Sequence, residues 1–297
     1  MRSALLLLAC LTLVILAGEA DAKEPEWSFH PNGNGQMQSV SISADGDYIV
    51  ASTSEMDYNG NLGGILFFEK NSSTPIWTFN AGSNKYASSL SISADGEYII
   101  ANSNWNRLYL FGKDSGTPLW IFNTTDPETR FTAADISSDG EYIVASSVNN
   151  DEDYEDFRNV YLFSKDNNTP LWSYNTIDEG VNSVSISADG EYITAADSSG
   201  NIYLFDKDSS TPLWDYTTGS EVHSVAISAD GKYIVAGCDD DKVYLFDKDS
   251  STPQWSYTTV DRVESVSISA DGEYITVASG PEDTKVYLFV KDSSAPR

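Results

Sequence analysis

Cysteine is nearly absent from this chain of 297 residues, which contains only Cys10 and Cys238. Cys10 lies in an apolar N-terminal run, so the remainder of the chain has a single thiol and cannot form an internal disulfide. The fold must therefore be held together by packing and strand pairing. We expect Cys238 to be a small buried residue at the end of a strand.

Histidine is equally scarce, with His30 and His223 alone. The chain has no His-Glu-x-x-His, no paired cysteines, no glycine-rich phosphate loop and no Gly-x-Ser-x-Gly. Carboxylates are abundant, but no acidic pair stands out as the pair of a glycosidase. The sequence therefore favours a non-enzymatic role over catalysis.

Basic residues are few, 17 against 45 acidic ones, which gives a formal net charge of −28. A surface of that sign repels nucleic acid and anionic lipid, so we expect neither as a partner.

Only one long apolar run exists, Ser3 to Gly18, and it follows the short basic start Met1-Arg2. Ala20-Asp21-Ala22 is a small-x-small cleavage signal, which predicts a signal peptide over 1–22 and a mature domain over 23–297. The alternative is an uncleaved anchor, although about 15 residues is short for a bilayer span. We expect a protein in the periplasm, at the cell surface or secreted, with no membrane insertion after cleavage.

Self-similarity is what the chain has in abundance. The block Ser183–Ile193 recurs unchanged as Ser265–Ile275, and variants occur elsewhere. Six turn glycines follow one another at spacings of 50, 44, 50, 41 and 41 residues: Gly46, Gly96, Gly140, Gly190, Gly231 and Gly272. A period of this length with a strand-like pattern is typical of propeller blades.

Each unit contains four strand candidates. The first alternates apolar and polar residues, an Asp-Gly turn leads to a second that starts at Tyr, the third ends near Phe, and the fourth carries Trp. The last unit has no Trp strand, whereas Trp27 precedes the first unit. The pattern predicts an all-β, six-bladed β-propeller with four antiparallel strands per blade, closed by the N-terminal strand around Trp27, which leaves no exposed sheet edge.

Two stretches resemble known propeller families. Val222–Gly237 resembles the opening of a WD-repeat blade, and Val243–Trp255 resembles the tryptophan-docking motif of quinoprotein (PQQ)-like repeats. The resemblance covers residues 27 to 292 and implies the architecture rather than an activity. The chain departs from WD repeats, because Phe205-Asp206 replaces Trp-Asp, and no quinone pocket can be located. No cofactor is therefore predicted.

Loop lengths separate two faces of the predicted ring. From the third-strand Phe to the next Trp the distance is 9 residues in all five complete units. The second-to-third and fourth-to-first connections, at the other end of the sheets, contain all the variation in length. We call these two ends the turn face and the loop face. Units 1 and 3 have insertions on the loop face, in 52–64 and 147–159, and binding residues concentrate on such loops.

Candidate site residues fall into three groups on the loop face. Acidic and aromatic loop residues could anchor a protein or stack on a sugar: Asp57, Tyr58, Tyr86, Trp105, Phe131, Asp153, Tyr154 and Asp156. Residues just before the first strands should surround the channel mouth and suit water, an ion or a small polar ligand: Gln38, Ser88, Thr132, Asn182, His223 and Glu264. Calcium is a further cofactor to consider, at Asp151, Asp153, Asp239 and Asp241.

These observations favour a monomeric, exported binding or scaffold propeller that recognises a protein or glycan through its loop face. One alternative is an enzyme, PQQ-like or carboxylate-based, with its site at the channel mouth. Another is a structural surface protein stabilised by calcium.

Overall fold

A computed structural model describes residues 24–30, 36–54, 64–80, 87–103, 106–125, 129–149, 158–176 and 180–297. The described residues form 23 named strands, β1 to β23. None of them lies in a helix long and apolar enough to cross a bilayer. The predicted signal peptide, 1–22, lies outside the described residues.

The strands repeat in the predicted order along the chain. The first strands of the units are Met37–Ile42 (β1), Ala87–Ile92 (β5), Thr129–Ile136 (β9), Val181–Ile186 (β13), Val222–Ile227 (β17) and Val263–Ile268 (β21). The second strands are Tyr48–Thr53 (β2), Tyr98–Ser103 (β6), Tyr142–Asn149 (β10), Tyr192–Asp197 (β14), Tyr233–Cys238 (β18) and Tyr274–Ser279 (β22). The third strands are Gly64–Glu69 (β3), Arg107–Gly112 (β7), Asn159–Ser164 (β11), Asn201–Asp206 (β15), Lys242–Asp247 (β19) and Val286–Val290 (β23). The fourth strands are Trp77–Asn80 (β4), Trp120–Asn123 (β8), Trp172–Asn175 (β12), Trp214–Thr217 (β16) and Trp255–Thr258 (β20).

Each unit is an antiparallel meander. Five sheets have four strands in sequence order, and the sixth, β21-β22-β23, has three. We call the six sheets blades 1 to 6. The prediction of an all-β chain built from repeated four-stranded antiparallel blades is confirmed, and Cys238 is buried as the last residue of β18, as expected.

The turn between the first two strands of a blade is also a contact with the preceding blade. In blade 3, Ser137 Oγ donates to Asp139 Oδ1 at 2.6 Å and Gly140 has a φ of 73°. A Cβ added at Gly140 would lie 2.6 Å from Cδ2 of Tyr98 in blade 2. Glycine is therefore required here both by the left-handed backbone and by the neighbouring ring.

The hydrophobic core lies between the blades rather than within one. The fourth-strand Trp of each blade reaches over the next blade, as when Trp120 Nε1 donates to the carbonyl of Lys165 at 2.9 Å and its ring lies 5.7 Å from that of Phe163. Burying apolar surface between successive sheets is what stabilises a repeat array.

The first strands lie side by side in the order β1, β5, β9, β13, β17 and β21, along the side of the blades that would face the predicted channel. On the turn face a backbone hydrogen bond joins each pair of neighbouring blades. These bonds run from Ala44 N to Ala94 O, Ala94 N to Ser138 O, Ser138 N to Ala188 O, Ala188 N to Ala229 O and Ala229 N to Ala270 O, at 2.9 to 3.1 Å.

The two ends of the array differ from its interior. Val40 and Ile42 of blade 1 are 69% and 60% exposed, whereas Leu90 and Ile92, their equivalents in blade 2, are 7% and 8% exposed. At the other end, Val286 of β23 is 78% exposed. The outward face of blade 1 and that of blade 6 each lack the neighbouring sheet that covers the other blades.

Trp27 docks on blade 1 as the other tryptophans dock on their neighbours. Its ring stacks 5.5 Å from that of Phe68, and its Nε1 donates to the carbonyl of Lys70 at 2.6 Å. It therefore occupies the place of a fourth strand from a preceding blade. Pairing of this segment with β23, which the predicted closure needs, is not shown among the described residues.

Candidate functional site: the channel mouth

The predicted channel-mouth residues share a structural feature that the sequence did not show. Each is the extra residue of a β-bulge between the first and second strand of its blade, and so lies inside the first strand rather than just before it. The bulged residues are Gln38, Ser88, Thr132, Asn182, His223 and Glu264. A bulge re-aims the side chain of its extra residue and is frequent beside functional sites.

Some of these side chains also join neighbouring blades. In blades 1 to 4 a polar side chain donates to the carbonyl that precedes the bulged residue of the next blade. The bonds run from Ser52 Oγ to Ala87 O (2.8 Å), Asn102 Nδ2 to Phe131 O (3.2 Å), Thr132 Oγ1 to Val181 O (2.5 Å) and Asn182 Nδ2 to Val222 O (3.1 Å). Thr132 and Asn182 therefore stabilise the packing of the blades as well as lining the mouth.

Blade 5 has a different arrangement at the mouth. His223 Nε2 lies 2.6 Å from Asp239 Oδ1, and its Nδ1 lies 3.9 Å from Glu221 Oε1. The ligand atoms of these three side chains all lie within 4.8 Å of one another, and each side chain is partly buried. The imidazole thus sits between two carboxylates at a position open to solvent.

The backbone holds this group in place. Asp239 N donates to the carbonyl of Glu221 at 2.9 Å, which fixes the end of β18 beside the start of β17. From blade 4, Asn182 Nδ2 donates to Glu221 Oε1 at 2.9 Å and Ser198 Oγ lies 3.3 Å from the same oxygen. Two blades therefore orient the Glu221 carboxylate.

On the other side of His223, blade 6 contributes an ion pair. Arg262 Nε donates to Glu264 Oε1 at 2.7 Å. The Glu264 carboxylate, with smaller contributions from Asp239 and Asp261, raises the pKa of Arg262. Glu264 is therefore already paired with a cation of its own blade.

Asp135 is a partly buried acid among the first strands that the sequence analysis did not single out. It lies on β9 and accepts hydrogen bonds from Ser91 Oγ (2.8 Å), Ile136 N (2.9 Å), Ile186 N (3.2 Å) and Ser185 Oγ (3.3 Å). Surrounding protein raises the pKa of its carboxyl, because loss of solvent outweighs these four hydrogen bonds. Asp135 thus connects blades 2, 3 and 4 through one side chain.

The three acidic residues that follow β18 make different contacts. Asp239 contacts His223, whereas Asp240 Oδ2 accepts a hydrogen bond from Tyr244 Oη at 2.5 Å. Asp241 has a φ of 63°, and its carbonyl accepts hydrogen bonds from both N and Oγ1 of Thr259. Asp241 is therefore a turn residue, and of the two calcium candidates described here only Asp239 reaches a cluster of ligating side chains.

The prediction that Phe131 is an exposed binding residue is wrong. Phe131 lies in β9, is 2% exposed and packs against Phe122 and Tyr161. The repeat explains the burial, because Phe131 directly precedes the bulged Thr132 and so corresponds to Val181 and Val222, which are also buried. Asp57, Tyr58, Tyr86, Trp105, Asp151, Asp153, Tyr154 and Asp156 lie outside the described residues.

The insertion of blade 3 lengthens its hairpin. β9 and β10 have eight residues each, whereas the first and second strands of the other blades have six. The register continues through Val148–Arg130 and Asn149–Thr129 beyond the bulge. Residues 147–149 of the predicted insertion are thus part of the sheet.

Comparison with known proteins agrees with the repeat. Residues 156–293 match the family model described as outer membrane protein assembly factor BamB, a PQQ-type repeat family. A comparison with the curated proteins found no match. The matched residues run from just before β11 to just after β23 and include all of blades 4 to 6. This part of the chain is therefore similar to the PQQ-type repeats of that family.

Proposed function

We propose that this protein is an exported, non-enzymatic binding or scaffold propeller that recognises a protein or glycan through its loop face. The observation that supports it most is the set of six bulges, because each presents a different polar side chain at one end of an otherwise repetitive frame. The match to the BamB-type repeat model is consistent with a scaffold role.

The asymmetry of the two faces supports the same conclusion. On the turn face every blade repeats the hydrogen-bonded turn seen at Ser137 and Asp139, so it offers no distinctive feature. The loop face has the insertions of blades 1 and 3 and the mixed ring of mouth residues. Specific recognition needs such a break in symmetry.

Compartment and partners follow from charge and from the N-terminal run. A signal peptide over 1–22 would place the protein outside the cytoplasm, and a net charge of −28 disfavours nucleic acid and anionic membranes. In this proposal the mature protein is a monomer that is not inserted in the membrane.

The experiment is a comparison of loop-shortened variants. From Gly140 to Trp172 the chain counts 32 residues, against 24 in blades 2, 4 and 5, so deletion of 150–157 gives blade 3 the short connection. A glycan array and a pull-down from the exported fraction should identify a partner that the wild type binds and the deletion variant loses.

The matched control changes the turn face instead. Glu141→Gln removes a charge that pairs with Lys165 at 2.8 Å and should leave partner binding unchanged. If the deletion variant folds and binds every partner as the wild type does, the loop face of blade 3 is not the recognition surface.

We further propose that the six blades close into one ring, with the Trp27 segment as the fourth strand of blade 6. Support comes from complementary ends: the exposed Val286 and Leu288 of blade 6 would meet the exposed Val40 and Ile42 of blade 1. A Cβ at Gly46 has nothing within 4 Å, whereas the other five turn glycines contact a Tyr of the preceding blade. Closure would place Tyr274 of blade 6 against Gly46 of blade 1.

A further inference from the structure

We propose that Glu221, His223 and Asp239 form a binding site for one divalent first-row transition-metal ion of the Zn²⁺ type at the channel mouth. The site lies on blade 5, between the bulge of β17 and the end of β18. Its three ligand atoms lie within 4.8 Å of one another. The proposal is independent of the partner proposed above.

The repeat itself provides the comparison. Each blade builds the same bulged frame, but blade 4 has Gly180, Asn182 and Ser198 at the three equivalent positions, and blade 6 has Arg262, Glu264 and Gly280. Among blades 4 to 6, whose mouth residues are all described, only blade 5 has three side chains that can ligate a metal. At these three positions blade 5 therefore differs from both of its neighbours.

The donor set determines the class of ion. One imidazole nitrogen and two carboxylate oxygens suit Zn²⁺ and its neighbours, whereas Ca²⁺ takes six to eight oxygens. Ligands of a tetrahedral zinc ion at 2.0–2.1 Å are about 3.3 Å apart, so the side chains need only small rotations. Two carboxylates and a neutral imidazole also balance the charge of a divalent ion.

Residues around the three proposed ligands form hydrogen bonds that hold them in place, as the residues surrounding the ligands do in known metal sites. Asn182 and Ser198 of blade 4 bond the Glu221 carboxylate, and the backbone bond from Asp239 N to Glu221 O fixes the separation of the two carboxylates. Such partners orient ligands and sustain affinity. The ion would replace the hydrogen bond between His223 Nε2 and Asp239 Oδ1 by a bond to each atom.

Three protein ligands leave at least one coordination position toward the mouth. Catalytic zinc sites have such an open position, whereas structural sites use four protein ligands. Water fills it in the resting state, and a carboxylate, imidazole or hydroxyl donor of a bound molecule could displace that water. The site would therefore add metal-dependent affinity for ligands that present such a donor.

Equilibrium dialysis of the chelator-treated full chain against Zn²⁺, in 0.15 M salt with excess Mg²⁺, tests the proposal. We expect one Zn²⁺ per chain. His223→Asn and Asp239→Ser install the residues of blade 4, so the frame tolerates them, and each should weaken binding at least about tenfold. Glu141→Gln, on the turn face, removes the same charge far from the site and should change the affinity less than twofold.

Proton NMR gives a readout that needs no variant, because the chain has only two histidines. Addition of Zn²⁺ should shift the ring signals of His223 and leave those of His30 in place. Absence of stoichiometric binding, an unchanged His223 signal, or an equal loss of affinity in Glu141→Gln would overturn the proposal.

Discussion

At the scale of single residues, Asp135 shows how one substitution in a repeat alters the channel. The equivalent position is Ser41, Ser91, Ser185 and Ser267 in blades 1, 2, 4 and 6. The serine hydroxyl is neutral, whereas the ionised form of Asp135 would place a charge where solvent is largely excluded. Its four hydrogen bonds compensate only in part for the loss of solvent around the carboxylate, since the pKa of the carboxyl is raised.

Asp135→Ser should therefore change stability in a pH-dependent way. Because the pKa is higher in the folded state than its ordinary value of 3.8, the wild type loses stability as pH rises from that value through the folded pKa. The free energy of unfolding of the wild type minus that of the variant should fall over this window and stay constant above it. Urea denaturation at a series of pH values measures it, and a difference that rises with pH would contradict the assignment.

The sequence predicted the mouth residues but not their geometry. His223 and Asp239 are separated by a whole hairpin, and a bulge that inserts one residue decides whether their side chains meet. The one trace of that bulge in the sequence of β17 is that Val222 and Val225 fall three apart, whereas a regular strand would keep its buried residues two apart. This spacing does not show which side chains the bulge brings together, so the cluster of blade 5 was found only in the structure.

At the scale of elements, the fourth strands fasten successive blades. Five Trp strands and the Trp27 segment donate an indole N–H to a lysine carbonyl of the blade that follows. The strands, turns and tryptophans were predictable because alternation, Asp-Gly turns and the fixed spacing of 9 residues are local signals. The burial of Phe131 follows from the same repeat, since Val181 and Val222 are buried at the equivalent position, although the sequence analysis placed Phe131 in a loop.

Trp120→Phe should destabilise the protein by about 1–2 kcal/mol, because it removes the 2.9 Å bond and leaves the Lys165 carbonyl without this donor. Leu119→Gln is the matched control: Leu119 is 57% exposed and Gln254 holds the same position in blade 5. The control should stay within about 0.5 kcal/mol. Chemical denaturation measures both, and equal effects would argue against the role of the indole N–H.

At the scale of the whole molecule, function depends on whether six blades make a ring. The sequence predicted six units and their order, and the structure confirms them. Closure brings together residues 27–29 and 286–290, and the local pattern does not determine how sharply six sheets curve. Whether the exposed faces of blades 1 and 6 pack against each other could not be predicted from the repeat alone.

The most direct test is a cross-link across the proposed junction. Closure places Ala270 against Ala44 as Ala44 lies against Ala94, where the backbone N and O are 3.0 Å apart. We expect Ala44→Cys/Ala270→Cys to form a bridge within one chain under mild oxidation, as the Ala44→Cys/Ala94→Cys control does, with mass spectrometry of the linked peptides as readout. Bridging in the control alone, or a bridge between two chains, would contradict a ring closed by the Trp27 strand.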